Sequence, residues 1–88
     1  MRYLFPFENI KKGSRVIIYG AGEMGQCYLR QIEMTKYCQI LCLVDKNYQR
    51  YQALHIAVFS PDRIVDYENE YDYIIIARAS RTVAGSMW

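Results

Sequence analysis

Several catalytic signatures are missing from this 88-residue chain. No glycine is followed by the Lys-Ser or Lys-Thr pair of a phosphate-binding P-loop, which excludes that class of nucleotide hydrolase. None of the nine tyrosines has a lysine four positions later, so the Tyr-x-x-x-Lys pair of short-chain dehydrogenases is absent. The single histidine, His55, has no carboxylate or cysteine near it in sequence and is read as structural. Three cysteines, Cys27, Cys38 and Cys42, form no C-x-x-C pair, and with one histidine they make a poor zinc set. They are read as small buried hydrophobes in a reducing cytoplasm. A net charge of +2 is too small to point to nucleic acid. No apolar run approaches the roughly 20 residues that span a bilayer. The opening MRYLFPFENIKKG lacks the apolar centre and cleavage site of a secretory leader, so none is expected.

What is present is an alternation of buried runs and one amphipathic stretch. Residues 1–13 read as an arm whose aromatics cover the core, with a helical turn over Phe7–Ile10. Residues 14–88 read as a single domain. Arg15–Tyr19 and Gln39–Val44 are continuous apolar strands of the kind buried on both faces of a parallel sheet. Between them, Glu23 to about Lys36 places Met24, Tyr28 and Ile32 on one helical stripe, with Cys27 and Gln31 beside it. His55–Phe59 is a short third strand. Ser60-Pro61-Asp62 reads as an N-cap, first-position proline and dipole-complementing acid opening a helix whose apolar side is Ile64, Val65 and Tyr67. Asp72–Ala77 is the fourth strand, doubly buried like the first two. Right-handed crossovers then give an α/β fold with a parallel four-stranded sheet in the order 3-2-1-4 and helices on both faces. Residues 78–88 read as a terminal helix that docks Val83, Met87 and Trp88 on the core.

The chemistry gathers at RVIIYGAGEMGQ, residues 15–26. A G-x-G-x-x-G run there follows a buried strand and opens a helix, and Asp45 ends the next strand 20 residues after Gly25. Gly20 would permit the tight turn, Gly22 a close approach of backbone to diphosphate, and Gly25 close packing of helix on sheet. Free amides at the helix start would face the phosphates, and Asp45 would bond both ribose hydroxyls. The same glycines would also serve a sharp turn with no ligand. Strand, helix and acid in register favour the ligand. Lys46 beside Asp45 is read as a solvated charge that can soften a preference for unphosphorylated ribose. Glu23 is expected to point to solvent. The acidic run from Asp62 to Asp72 is also read as solvated.

Together, VIIYGAGEMGQ, LVDKN, VFSPDRI and YDYIIIA resemble a small NAD(P)-binding Rossmann-type module of bacterial cell-envelope polysaccharide biosynthesis. Similar modules stand at the N-terminus of sugar O-acyltransferases and in nucleotide-sugar dehydratases and epimerases. The resemblance covers about residues 4–77. It implies that Gly20, Ala21, Gly22, Glu23, Met24 and Gly25 line the diphosphate of NAD or of a UDP-sugar. It also implies that Asp45 and Lys46 lie at the ribose or base, with Ala77 at the end of strand four. Where such modules continue into a glycine-containing turn that helps hold the sugar, this chain has Ala77-Arg78-Ala79-Ser80-Arg81.

Eighty-eight residues supply one mononucleotide-binding half and no second half to hold a substrate. A methyltransferase loop is disfavoured because Tyr19, not an acid, ends strand one. Two functions follow. The first is a nucleotide-binding module for a protein acting on nucleotide-activated sugars, with catalysis supplied by a partner domain, chain or second copy. The second is a non-catalytic interaction or regulatory unit that keeps the scaffold. Exposed aromatics among Tyr3, Phe5, Phe7, Tyr48, Tyr51 and Trp88 would favour a homodimer, whereas the same rings would otherwise cap the ends of the sheet.

Overall fold

The computed structural model describes residues 3–77. The terminal helix expected of residues 78–88, with Val83, Met87 and Trp88, lies outside the described residues, as do Arg78, Ser80 and Arg81. Among these residues four parallel strands form one sheet, in the spatial order third, second, first, fourth. They are β1 (Arg15–Tyr19), β2 (Gln39–Val44), β3 (Val58–Phe59) and β4 (Tyr73–Ile76). Among the described residues one α-helix, α1 (Glu23–Thr35), follows β1, and three short 3-10 helices cover Phe7–Asn9, Tyr48–Tyr51 and Pro61–Tyr67.

β1 is central, and its Val16, Ile17 and Ile18 are fully buried. Burying such a side chain contributes roughly 1.5–3 kcal/mol, so this run anchors the domain. Successive side chains point to opposite faces and divide the core in two. Val16, Ile18, Leu43, Val58 and Ile75 meet Tyr28, Leu29 and Ile32 of α1 on one face. Ile17, Cys42 and Val44 form the other, against Ile64 and Tyr67 of the Pro61–Tyr67 helix. A register shift after Val16, where Ile17 faces Cys42, leaves Leu41 of β2 as the extra residue of a bulge.

The arm joins the first face. Phe5 is 1% exposed, and its ring meets Phe7 and Tyr28 edge-on, while Phe7 meets Tyr37 in the same way. Gln31 fixes the arm: its Oε1 accepts from the Phe5 amide at 3.0 Å, and its Nε2 donates to the Tyr3 carbonyl at 2.6 Å. Tyr37 adds hydroxyl bonds to the Phe7 and Ile10 carbonyls at 3.0 and 2.7 Å. Phe5 therefore belongs to the core, and Tyr3, Phe7, Tyr48 and Tyr51 pack partly against it.

Three expectations are corrected. The segment after Ser60 is a 3-10 helix, and Ser60 caps no backbone amide; its hydroxyl bonds the Asp62 carboxylate. With three residues per turn, Ile64 and Tyr67 fall on one side and Val65 turns outward, 66% exposed. The third strand shrinks to Val58–Phe59, because only Leu43 and Val44 pair with it, while Leu54 and Ile56 pack on the core from outside the sheet. β4 is not doubly buried. It is an edge strand paired only with β1 among the described residues, and Ile76 is 58% exposed.

Candidate functional site

The glycine turn sits at the C-terminal ends of β1 and β2. At Gly20 the backbone has φ +124°, and a side chain there would collide with the Ala77 carbonyl oxygen. Only glycine satisfies both demands. The Ala77 amide bonds the Tyr19 carbonyl at 2.8 Å, so β4 closes against β1 beside the turn. Gly25 lies in the first turn of α1 with its Cα pressed on the Gly20 carbonyl; an added Cβ would lie 2.8 Å from the carbonyl carbon and nearer still to the oxygen. Gly22, the N-cap of α1, differs from both. Its φ is −79°, and an added Cβ would meet only the Tyr51 hydroxyl, at 3.8 Å. The first and third glycines are therefore required by the fold, whereas a side chain at the second would make only an ordinary contact.

Asp45 ties the two strand ends together. Its Oδ2 accepts from the Ala21 amide at 2.7 Å, and its Oδ1 accepts from the Asn47 amide at 2.7 Å. Its carbonyl accepts from the Tyr48 amide at 3.0 Å, which launches the Tyr48–Tyr51 helix. The Gly20 amide bonds the Val44 carbonyl at 2.7 Å. Gln26 adds a bond from Nε2 to the Ala21 carbonyl at 2.8 Å. The amides of Gly22, Met24 and Gly25 have no bond among the described residues, as expected at the open end of a helix. Glu23 is exposed in that first turn, where a carboxylate complements the helix dipole.

Tyr19, Gly20, Asp45, Lys46 and Asn47 line a cleft of about 510 Å³ over these strand ends. That volume is within the ordinary range for small-molecule sites. The structure thus brings Gly20, Asp45 and Lys46 together at the cleft and bonds Ala21 to Asp45, while Gly22 faces Tyr51 and Ala77 is buried behind the turn. The Met24 side chain packs on the core, so its contribution at the turn is its amide.

A family model described as C2185-like, N-terminal, matches residues 12–83. The chain belongs to this family. The family match takes in the glycine turn, Asp45 and all four strands, and it begins near the end of the arm, after its aromatic residues. No curated protein and no solved structure matches the chain.

Other titratable groups lie away from the cleft. His55 does have a carboxylate partner: its Nε2 lies 2.6 Å from Glu33 on exposed surface, 22 residues away in sequence and invisible to a local reading. All three cysteines are free. Burial pushes the Cys42 thiol up, opposed by a Tyr67 hydrogen bond and the Arg63 charge. Burial likewise raises Cys38. Neither is poised as a nucleophile. Asp62, Asp66, Glu68, Glu70 and Asp72 are exposed, and Asp66 pairs with Arg63 at 2.6 Å. No helix among the described residues is long and apolar enough to cross a membrane.

Sequence reasoning missed Gln26, Asn47 and Tyr51 at the site. Gln26 had a usable signal, since it directly follows the third glycine and lies one turn beyond Gly22. Tyr51 had none, because its approach to Gly22 depends on a 3-10 turn that apolar periodicity does not mark.

Proposed function

We propose that this chain is a nucleotide-binding module whose cleft receives the diphosphate of NAD or of a nucleotide-sugar such as a UDP-sugar. The observation that carries the reading is the start of α1 at Gly22, where a Cβ would meet the Tyr51 hydroxyl alone, at 3.8 Å. It has unbonded amides and follows Ala21, whose amide the Asp45 carboxylate accepts. A phosphate placed there would meet backbone donors and the positive end of the helix dipole. Each Asp45 oxygen already accepts one amide and retains a second lone pair for a ribose hydroxyl. The Rossmann-type resemblance extends the reading to a cytoplasmic protein of bacterial surface-polysaccharide synthesis that acts on nucleotide-activated sugars. The free thiols agree with a reducing compartment. Catalysis would come from a partner domain, another chain or a second copy.

Calorimetric titration of the wild type and Gly22→Ala with NAD, NADP and UDP-glucose tests this. The expected result is saturable binding of NAD or UDP-glucose by the wild type, lost in Gly22→Ala, which retains its fold. Binding of none overturns the reading. It would leave an interaction scaffold, in which the bonds from Asp45 to Ala21 and Asn47 are that residue's whole role.

A further inference from the structure

We propose that β4 is an interface for a second copy of this chain, whose own β4 pairs with it antiparallel about a two-fold axis at Ile75. The proposal is independent of what the cleft binds. The two edges of the sheet differ. At the β3 edge, the Leu43 and Asp45 amides bond the Ala57 and Phe59 carbonyls at 3.0 Å, which turns the Val58 carbonyl outward. Gln52 Nε2 covers that carbonyl at 3.1 Å, and the strand is only two residues long. Shortness and a covering side chain protect an edge from further pairing. At the β4 edge, the Ala77 amide bonds the carbonyl of Tyr19, which lies beside Ile76. Alternation along the strand then turns the amides and carbonyls of Ile74 and Ile76 away from β1. They have no partner among the described residues, and no charge or proline interrupts Tyr73–Ala77 to guard them.

The strand is complementary to itself, which selects a second copy as the occupant. With Ile75 opposite its own copy, Ile74 lies opposite the partner's Ile76, and Ile76 opposite the partner's Ile74. Both pairs then exchange both of their backbone bonds. Their side chains share the face of Ile17, where Ile74 is half-buried and Ile76 is 58% exposed. Pairing lays each Ile76 on the partner's Ile74, a reciprocal contact of the kind a two-fold interface requires. On the other face the large, exposed Tyr73 meets the small, buried side chain of the partner's Ala77. A register two residues nearer the N-terminus would instead set Asp72 against the partner's Ile76. The antiparallel direction also separates like charges. Lys11 and Lys12 stand beside Tyr73 at the start of β4 and meet the far end of the partner's strand, whereas parallel pairing would set them beside their own copies.

The test is sedimentation of the wild type, Ile76→Lys and Val65→Lys from micromolar to millimolar concentration, with amide hydrogen exchange of the wild type. Val65 is a still more exposed apolar residue, on the Pro61–Tyr67 helix away from the edge, and serves as the control. The wild type is expected to dimerise, Val65→Lys to dimerise equally, and Ile76→Lys to associate at least about tenfold more weakly. The Ile74 and Ile76 amides should exchange more slowly as concentration rises. A mixed-label sample should show a contact between the Ile75 α-proton and that of its copy. A wild type that stays monomeric throughout overturns the proposal, as does equal weakening by both lysines. Protection of Ile74 and Ile76 that does not change with concentration also overturns it, because a further segment of the same chain would then cover the edge. The exchange measurement needs no variant, so it decides the matter even if Ile76→Lys fails to fold.

Discussion

The two ends of the sheet carry clefts of nearly equal volume, about 510 Å³ at the C-terminal ends of the strands and about 500 Å³ at the N-terminal ends. Their chemistry diverges. The first lies beside a helix start and holds a carboxylate, Asp45, that accepts the Ala21 and Asn47 amides. The second is lined by Lys11, Lys12, Gly13, Ser14, Asp72 and Tyr73, and no helix among the described residues opens into it. Its carboxylate is engaged by one residue: Asp72 Oδ2 accepts from the Arg15 amide at 2.8 Å and pairs with Arg15 Nε at 3.6 Å. Volume therefore does not single out the site. The direction of the strands does, because in a parallel sheet the following helix begins at their C-terminal ends and points its free amides there.

Breaking the first end should cost most. Gly25→Ala forces a methyl into the Gly20 carbonyl, and Gly20→Ala combines a positive φ with a clash at Ala77. Each is expected to destabilise by about 3 kcal/mol or more. In a domain of this size that lowers the melting midpoint by more than about 10 °C, as thermal unfolding would show. A midpoint within a few degrees of wild type would mean that the turn can relax where the structure leaves no room.

Asp45→Ala comes next. It removes two amide bonds to a charged acceptor, for a loss of roughly 2 kcal/mol in denaturant titration. At the opposite end, Asp72→Asn is expected to have a smaller effect that depends on pH. The Arg15 amide bond holds the Asp72 carboxyl below its ordinary value of 3.8, helped by the Arg15 side chain and charge and opposed by desolvation. A lowered folded-state pKa gives stability that is present above that ordinary value and lost as pH falls through the folded one. The gap between wild type and Asp72→Asn should therefore be open at pH 7 and close in strong acid. A gap independent of pH contradicts the assignment.

Gly22→Ala should have the least effect on stability. Its φ is negative and its added methyl meets only the Tyr51 hydroxyl, so unfolding should change by less than about 1 kcal/mol, in either direction. The contrast with Gly25→Ala, three residues away, sharpens the distinction between a glycine the fold needs and a glycine a ligand would need.

Legibility in the sequence followed local against non-local causes. β1 and β2 were readable to the residue because Val16-Ile17-Ile18 and Ile40–Val44 are continuous apolar runs, buried at Val16–Ile18 and Cys42–Val44. Helix α1 was readable from the Met24, Tyr28 and Ile32 spacing. The apolar Tyr73–Ile76 run looked the same as β1, yet it lies at an edge, which is a matter of topology and not of composition. The Ser60-Pro61-Asp62 start was visible, but the choice of three residues per turn was not. At the site, the glycines and Asp45 were legible because their spacing is the motif. The contacts of Tyr51 and Gln31 join residues 26 or more positions apart, and a pattern read along the chain does not carry them.

The most direct test is a two-dimensional amide NMR titration of the wild-type chain with ADP-ribose, which reads both clefts at once. The account predicts saturable shifts at Gly20 to Gly25 and at Asp45 to Asn47, with Lys11 to Ser14 and Tyr73 unmoved. Shifts confined to Lys11–Ser14 and Tyr73, or no shift at either end, would contradict it.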